Sequence, residues 1–355
     1  MAMSNSSKAF VVVLVLAGVV AGAGAWWLLA DVGAPEASNG RVVEFEVPEG
    51  VGTSQIAGDL AEAGVISSEW AFRIAARFDE RSERLQAGTH RLRAGMTSDE
   101  VLAALSSEPH VETFRLTIPE GLTVEQTLTR LAEAGDYEVQ ALRAALTEVE
   151  LPGWVPADQL PESAEPYEGL LFPETYQFRT DAAPADVLQR LVGQTESVMQ
   201  GVQPPQGVSR YEMLIVASLV EREAKVSEEQ PTIASVIYNR LSAPMRLQVD
   251  ATVIYARDED SGPLTDSDLE IDSPWNTYQR DGLPPTPIAA PGRGAIEAAA
   301  NPSDTDYRYY VVDDLEAGSH AFAETKAQHD ANVREYRRMR EQQQAKDQGA
   351  GGGAP

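Results

Sequence analysis

The sequence predicts an α+β protein, and three features carry that prediction. Alternating apolar segments recur, each followed by a glycine-containing turn and a short amphipathic helical stretch. Two longer segments, 209–227 and 231–241, repeat their apolar residues at helical spacing. Residues 10–30, FVVVLVLAGVVAGAGAWWLLA, form a run of 21 positions without a charge.

Taken in chain order, residues 1–9 read as a short stub and residues 10–30 as a transmembrane helix. A 21-residue helix is about 30 Å long, the thickness of a bilayer's hydrocarbon core. Trp26 and Trp27 suit the headgroup region, and Lys8 before the span with Asp31 and Glu36 after it favours a cytoplasmic N-terminus. The expected location is the inner (cytoplasmic) membrane, single-pass, with the body on the outer side. The competing reading is a cleaved signal peptide. Its small-x-small site, Ala21-Gly22-Ala23, falls inside the apolar run, which favours an uncleaved anchor. Residues 31–40 read as a polar linker.

Three strand–turn–helix units follow: VVEFEVPEG (42–50), GTHRLRAG (88–95) and ETFRLTIPEG (112–121), each leading into a short helix. Ser54, Thr97 and Thr123 are the expected N-caps. Between the first two units, SSEWAFRIAARFDE (67–80) predicts another helix. Residues 149–166 read as a loop, 184–199 as a helix and 305–313 as a strand. Residues 336–355, charged and then Gly-rich, read as a disordered tail that the last helix extends into as far as about 342. Such units suggest a polysaccharide-binding module, but pattern alone favours a simply packed α+β domain.

Composition narrows the function. The chain of 355 residues has 55 acidic and 28 basic side chains, a formal charge of −27. That field repels polyanions, so no nucleic-acid partner is expected. Cysteine is absent, which removes disulfides and thiol chemistry. The four histidines, His90, His110, His320 and His329, have no metal-ligand spacing, so no metal is expected.

The leading chemical candidate is Glu221, read as lying mid-helix on one stripe with Leu214, Ala217 and Ala224. A carboxylate on an apolar stripe is costly unless paired, protonated or functional, and burial would fit it for general-acid work. The alternative is an ion pair with Lys225, four residues on, on a solvated face. Glu223 points about 200° away and belongs to a different face. RLQVDATVIYA (246–256) reads as a strand placing Gln248, Asp250 and Thr252 on one side. The Pro-rich stretch 273–292 offers Trp275, Asn276, Tyr278 and Gln279, aromatic and amide groups suited to sugars. His320, ahead of Phe322, is read as structural before catalytic.

The ordered run LIVASLVEREA (214–224), SVIYNRL (235–241), MRLQVDATVIYA (245–256), SPWNTY (273–278), GLPPTPIAAPG (282–292) and AIEAAANPS (295–303) resembles the endolytic murein transglycosylases, the YceG-like family. YEGLLFPETY (167–176) fits the segment upstream of that family's catalytic helix. The resemblance covers about residues 40–332 and implies a LysM-like module at 41–112 and a mixed α/β catalytic domain at 113–335. It places the family's essential glutamate on Glu221 and the neighbouring acidic position on Glu223. Asn239, Gln248, Asp250, Asn276 and Tyr278 fall on motif positions expected to support or bind the substrate. The implied reaction cleaves the MurNAc-β-1,4-GlcNAc bond of peptidoglycan by attack of the muramyl 6-hydroxyl, leaving a 1,6-anhydro end. Glu221 would serve as acid and then as base, and no cofactor is implied. Expected partners are peptidoglycan strands, with glycan polymerases and penicillin-binding proteins nearby, and the expected role is termination of nascent strands. The alternatives are a water-using muramidase-type glycosidase, with Asp250 as second carboxylate, and a non-enzymatic peptidoglycan-binding protein.

Overall fold

The computed structural model describes residues 40–257 and 264–350, with side chains as far as 344. The expected anchor at 10–30 lies outside the described residues. Among those described, no helix is long and apolar enough to cross a membrane. The chain divides into two compact units between Glu112 and Thr113.

In the first unit, β1 (Val42–Val47) pairs antiparallel with β2 (Gly88–Arg93), Phe45 opposite His90 and Val43 opposite Leu92. Between the two strands lie α1 (Thr53–Glu62) and α2 (Glu69–Arg77), and α3 (Ser98–Leu105) follows β2. Strand alternation sends Phe45, Val47 and Leu92 inward against Ile56, Leu60, Phe72, Val101 and Leu105, all buried. Thr97 caps α3 reciprocally with Glu100, as its sequence predicts. Ser54 does not cap α1. That helix starts two residues earlier than a Ser54 cap implies, at Thr53, and Gly52 occupies the cap position with no side-chain bond.

The second unit begins with β3 (Thr113–Thr117), which pairs antiparallel with β4 (Thr175–Arg179). The third strand–helix unit of the sequence therefore belongs to the larger body. Its helix α4 (Val124–Gly135) is capped by Thr123 with Gln126. The helices α5 (Val139–Ala145) and α6 (Pro184–Gln200) pack together. At the centre stands α7 (Arg210–Glu223), capped by Ser209 with Glu212. Residues Met213–Val220 of α7 are buried around the whole helix, not along one stripe, because α8 (Gln230–Leu241), α9 (Asp250–Arg257) and α10 (Arg293–Ala300) all pack on it. A hairpin of β5 (Tyr309–Val312) and β6 (His320–Ala323) leads into α11 (Lys326–Ala350).

Three sequence expectations change here. The segment 246–256 is not a strand: Gln248 has a left-handed backbone at φ 51°, and α9 starts two residues later. The helical period separates exposed Asp250 from buried Thr252, and Gln248 lies exposed in the turn before the helix. The last helix, expected to end near 342, continues as α11 to Ala350. The helix carrying Glu221 ends at Glu223 instead of continuing to 227.

Candidate active site

Glu221 occupies the last turn of α7. Ala224 leaves the helix with an extended backbone, its N–H bonded to the Val220 carbonyl. Glu221 is the first residue after the buried run to reach partial exposure, so a fixed, mostly dry helix presents one carboxyl group at its open end. The end of a helix carries partial negative charge, which further disfavours an ionised carboxylate there. Lys225 is not its partner. The chain has left the helix before Lys225 could take the i+4 position, and its stem lies against Gly318.

Two loops close around Glu221. The turn 118–122 and the loop 288–292 are tied by reciprocal backbone bonds, Gly121 N–H to Ala290 O (2.8 Å) and Ala290 N–H to Leu122 O (2.8 Å). Arg222 Nη1 donates to Gly121 O at 2.9 Å. Ser218 Oγ, buried inside α7, accepts from Ile288 N–H at 3.1 Å and fixes the second loop to the helix. Gly292 N–H then donates to Glu221 Oε2 at 3.0 Å. Burial raises the pKa of Glu221, and the Glu120 carboxylate adds to the rise. The Gly292 N–H and the Arg222 charge oppose it without reversing it.

Glu120 is a residue the sequence reading passed over. A methyl group at Gly292 would lie 1.7 Å from Glu120 Oε1, so the carboxylate rests directly on the glycine's open face. Glu221 and Glu120 thus converge on Gly292. The available signal was the Pro-Glu-Gly turn, which occurs at 48–50 and again at 119–121.

Glu223 does face another way. Its carboxyl accepts from Tyr310 Oη at 2.8 Å, and burial raises its pKa, with Tyr310 opposing and the Asp250 charge adding. Asp250 in turn accepts from Tyr278 Oη at 2.5 Å. His320 is held by Glu229, whose carboxylate contacts its N–H (2.9 Å) and Nδ1 (2.7 Å). These groups form a polar cluster behind the end of α7.

Other residues expected at the site serve the framework. Asn276 is wholly buried. Its Nδ2 donates to Ile271 O (2.8 Å) and Leu269 O (3.1 Å), which uses both amide donors, its Oδ1 accepts from Tyr278 N–H (2.9 Å), and its complete burial keeps it from a sugar. Trp275 is buried too, its Nε1 donating to Thr286 Oγ1 at 2.9 Å and its ring against Tyr255. It has no free face for stacking. Asn239 Nδ2 donates to Thr305 O (2.7 Å) and Tyr307 O (2.9 Å), pinning the strand approach to α8. Gln248 N–H donates to Thr277 O at 3.2 Å, and Gln279 Nε2 donates to Leu269 O at 2.8 Å. The sugar-like composition of 273–279 is largely the composition of a self-bonded loop.

A groove of about 800 Å³ begins at Leu122 and Thr123 and runs beside Arg130, Arg143, Glu168 and Tyr255. Glu221 is not on its wall, but Leu122 is the neighbour of Gly121, whose open face is 3.9 Å from Glu221 Cγ.

Residues 45–335 match the sequence profile of the YceG-like family. The chain belongs to that family. Among its relatives is an endolytic murein transglycosylase of Bacillus subtilis, 34% identical over 314 residues, covering 85% of this chain and 86% of the relative. An endolytic murein transglycosylase of Streptococcus pneumoniae is 29% identical over 331 residues, and the match spans 59% of its length. The crystal structure of a YceG-like protein from Listeria monocytogenes superposes with a TM-score of 0.53 at 30% identity, over 82% of this chain and 99% of that one. The family assignment made from the ordered motifs is therefore correct.

Proposed function

We propose that this chain is an endolytic murein transglycosylase that cleaves the glycan strands of peptidoglycan, with Glu221 as its acid and base. The observation carrying this reading is the Glu221 carboxyl in the last turn of a buried helix, its pKa raised by burial and by the Glu120 charge while the Gly292 N–H fixes its orientation. The Bacillus and pneumococcal relatives bear the same activity in their names.

The finer chemistry follows from that single acid. Protonated Glu221 gives its proton to the glycosidic oxygen as the bond to C1 of MurNAc breaks. The resulting carboxylate removes the proton of the MurNAc 6-hydroxyl, whose oxygen bonds to C1 and closes the 1,6-anhydro ring. The nucleophile belongs to the substrate, so no water has to be positioned. Glu223 and Asp250, joined to Tyr310 and Tyr278, hold the end of α7, with Asn239 and Asn276 bracing the loops around it, and the exposed Gln248 side chain is available to the substrate. A water-using glycosidase is the second reading. The carboxylate that favours it is Glu120, beside Glu221, and not Asp250, which neighbours Glu223.

We further read residues 10–30 as a single-pass anchor in the inner membrane and 41–112 as a LysM-like module. The antiparallel β1–β2 pair with two intervening helices supports the second reading. A tethered enzyme reaches glycan near the membrane, beside polymerases and penicillin-binding proteins, which suits termination of nascent strands. Protease added to spheroplasts is expected to degrade the body; full protection would reverse this topology. Full-length protein incubated with long purified glycan strands is expected to shorten them by internal cuts. Binding with no change in strand length would assign the chain to the non-enzymatic class.

A further inference from the structure

We propose that Glu120 is a second carboxylate of the reaction centre, held on the open side of Gly292 to act electrostatically on Glu221 and on the sugar cation formed during the cut. This deepens the transglycosylase reading and rests on it.

The placement is built by the framework. Glu120 belongs to the turn that is zipped to the 288–292 loop by the Gly121–Ala290 and Ala290–Leu122 bonds, and Arg222 secures the same turn through Gly121 O. Gly121 has φ +79°, a conformation suited to glycine, so the chain reverses sharply after Glu120. Gly292 is the one residue type whose side chain leaves room for the Glu120 carboxylate, since any Cβ would overlap it. The same glycine supplies the N–H that binds Glu221. One buried residue therefore organises both carboxyl groups, one bonded to its N–H and the other seated on its Cα.

The chemistry explains why two are useful although only one exchanges protons. Glu120 is exposed to solvent, whereas Glu221 is mostly withdrawn from it. The Glu120 carboxylate sits on the same glycine that binds Glu221, and its like charge disfavours ionisation of Glu221. The groups acting on Glu221 are Glu120 from the turn, Arg222 from its own helix and the Gly292 N–H from the second loop. Burial is the largest cause favouring the protonated form, and of these groups Glu120 alone adds to it. As the C1–oxygen bond breaks, its electron pair leaves with the oxygen, which takes the Glu221 proton, and C1 becomes positive. An anion already in place stabilises that charge without reorganising. Glu120 forms no bond in the cycle.

The test compares full-length wild type, Glu120→Gln, Glu120→Asp and Gly292→Ala on purified glycan strands across pH. Glu120→Gln is expected to lower kcat by about 10–100-fold with KM nearly unchanged. It is also expected to move the alkaline limb of the rate profile to lower pH, because Glu221 then loses its proton more readily. Gly292→Ala, which displaces a flexible carboxylate while keeping the N–H, is expected to shift the limb the same way. Glu120→Asp should restore part of the loss. A wild type that cuts strands and a Glu120→Gln variant matching it in both kcat and pH profile would overturn the inference alone. A wild type that leaves strands intact would overturn the functional reading, and the inference with it.

Discussion

Replacing Glu221 with Gln is expected to reduce strand cleavage by about 10⁴-fold while leaving the fold unchanged. Loss of a general acid costs about 10²–10⁴-fold, and here the same group also acts as the base, so the loss belongs at the upper end. The amide retains an oxygen to accept the Gly292 N–H, which preserves the 3.0 Å loop contact. The helix is held by Met213–Val220, none of which is altered. Melting and circular dichroism of the variant should therefore match wild type. A purified, folded Glu221→Gln protein keeping a third of the wild-type rate would remove Glu221 from the chemistry.

The second large effect lies away from the reaction. Glu168 is 3% exposed, accepting from Val124 N–H at the start of α4 (3.2 Å) and from Tyr255 Oη (3.1 Å). Burial pushes its pKa up to about 8, and the Tyr255 and Val124 bonds only partly offset this. The folded state thus holds a proton that the unfolded chain releases near its ordinary carboxylate value. The stabilisation is full below about pH 4.5 and is lost as pH rises towards 8, at up to about 1.4 kcal/mol per pH unit. Glu168→Gln keeps the shape and hydrogen-bonding capacity without an ionisable proton. The stability difference, variant minus wild type, is expected to grow by several kcal/mol between pH 5 and pH 9, measured by denaturant unfolding. Glu221 and Glu223 titrate in both proteins, so the difference isolates Glu168. Parallel curves would show that Glu168 stays ionised in the folded protein.

What the sequence carried and what it withheld follow physical lines. Local patterns were legible: the strand alternation of 42–47, the capping boxes at Thr97 and Thr123, and an acid set against an apolar helix. Ordered motifs fixed the family. Long-range hydrogen bonding was not legible. Asn276 and Trp275 look like sugar ligands until their polar atoms are seen to be consumed by Leu269, Ile271 and Thr286. The alternation in 246–256 suggested a strand because Thr, Val, Ile and Tyr favour one, and packing on α7 overrode that preference. Glu120 is about a hundred residues from Glu221 in the chain, and only the pairing of the 118–122 turn with 288–292 brings them together. Glu168 sat unremarked in YEGLLFPETY, though a carboxylate inside an apolar run carried the same warning that drew attention to Glu221.

The central claim is that one glutamate drives an intramolecular cut. Its most direct test is the mass of the new ends formed when full-length protein digests purified strands in ¹⁸O-labelled water. Products one water lighter than hydrolytic ends, without ¹⁸O, are predicted. Ends carrying ¹⁸O would show that water is the nucleophile and would contradict the account.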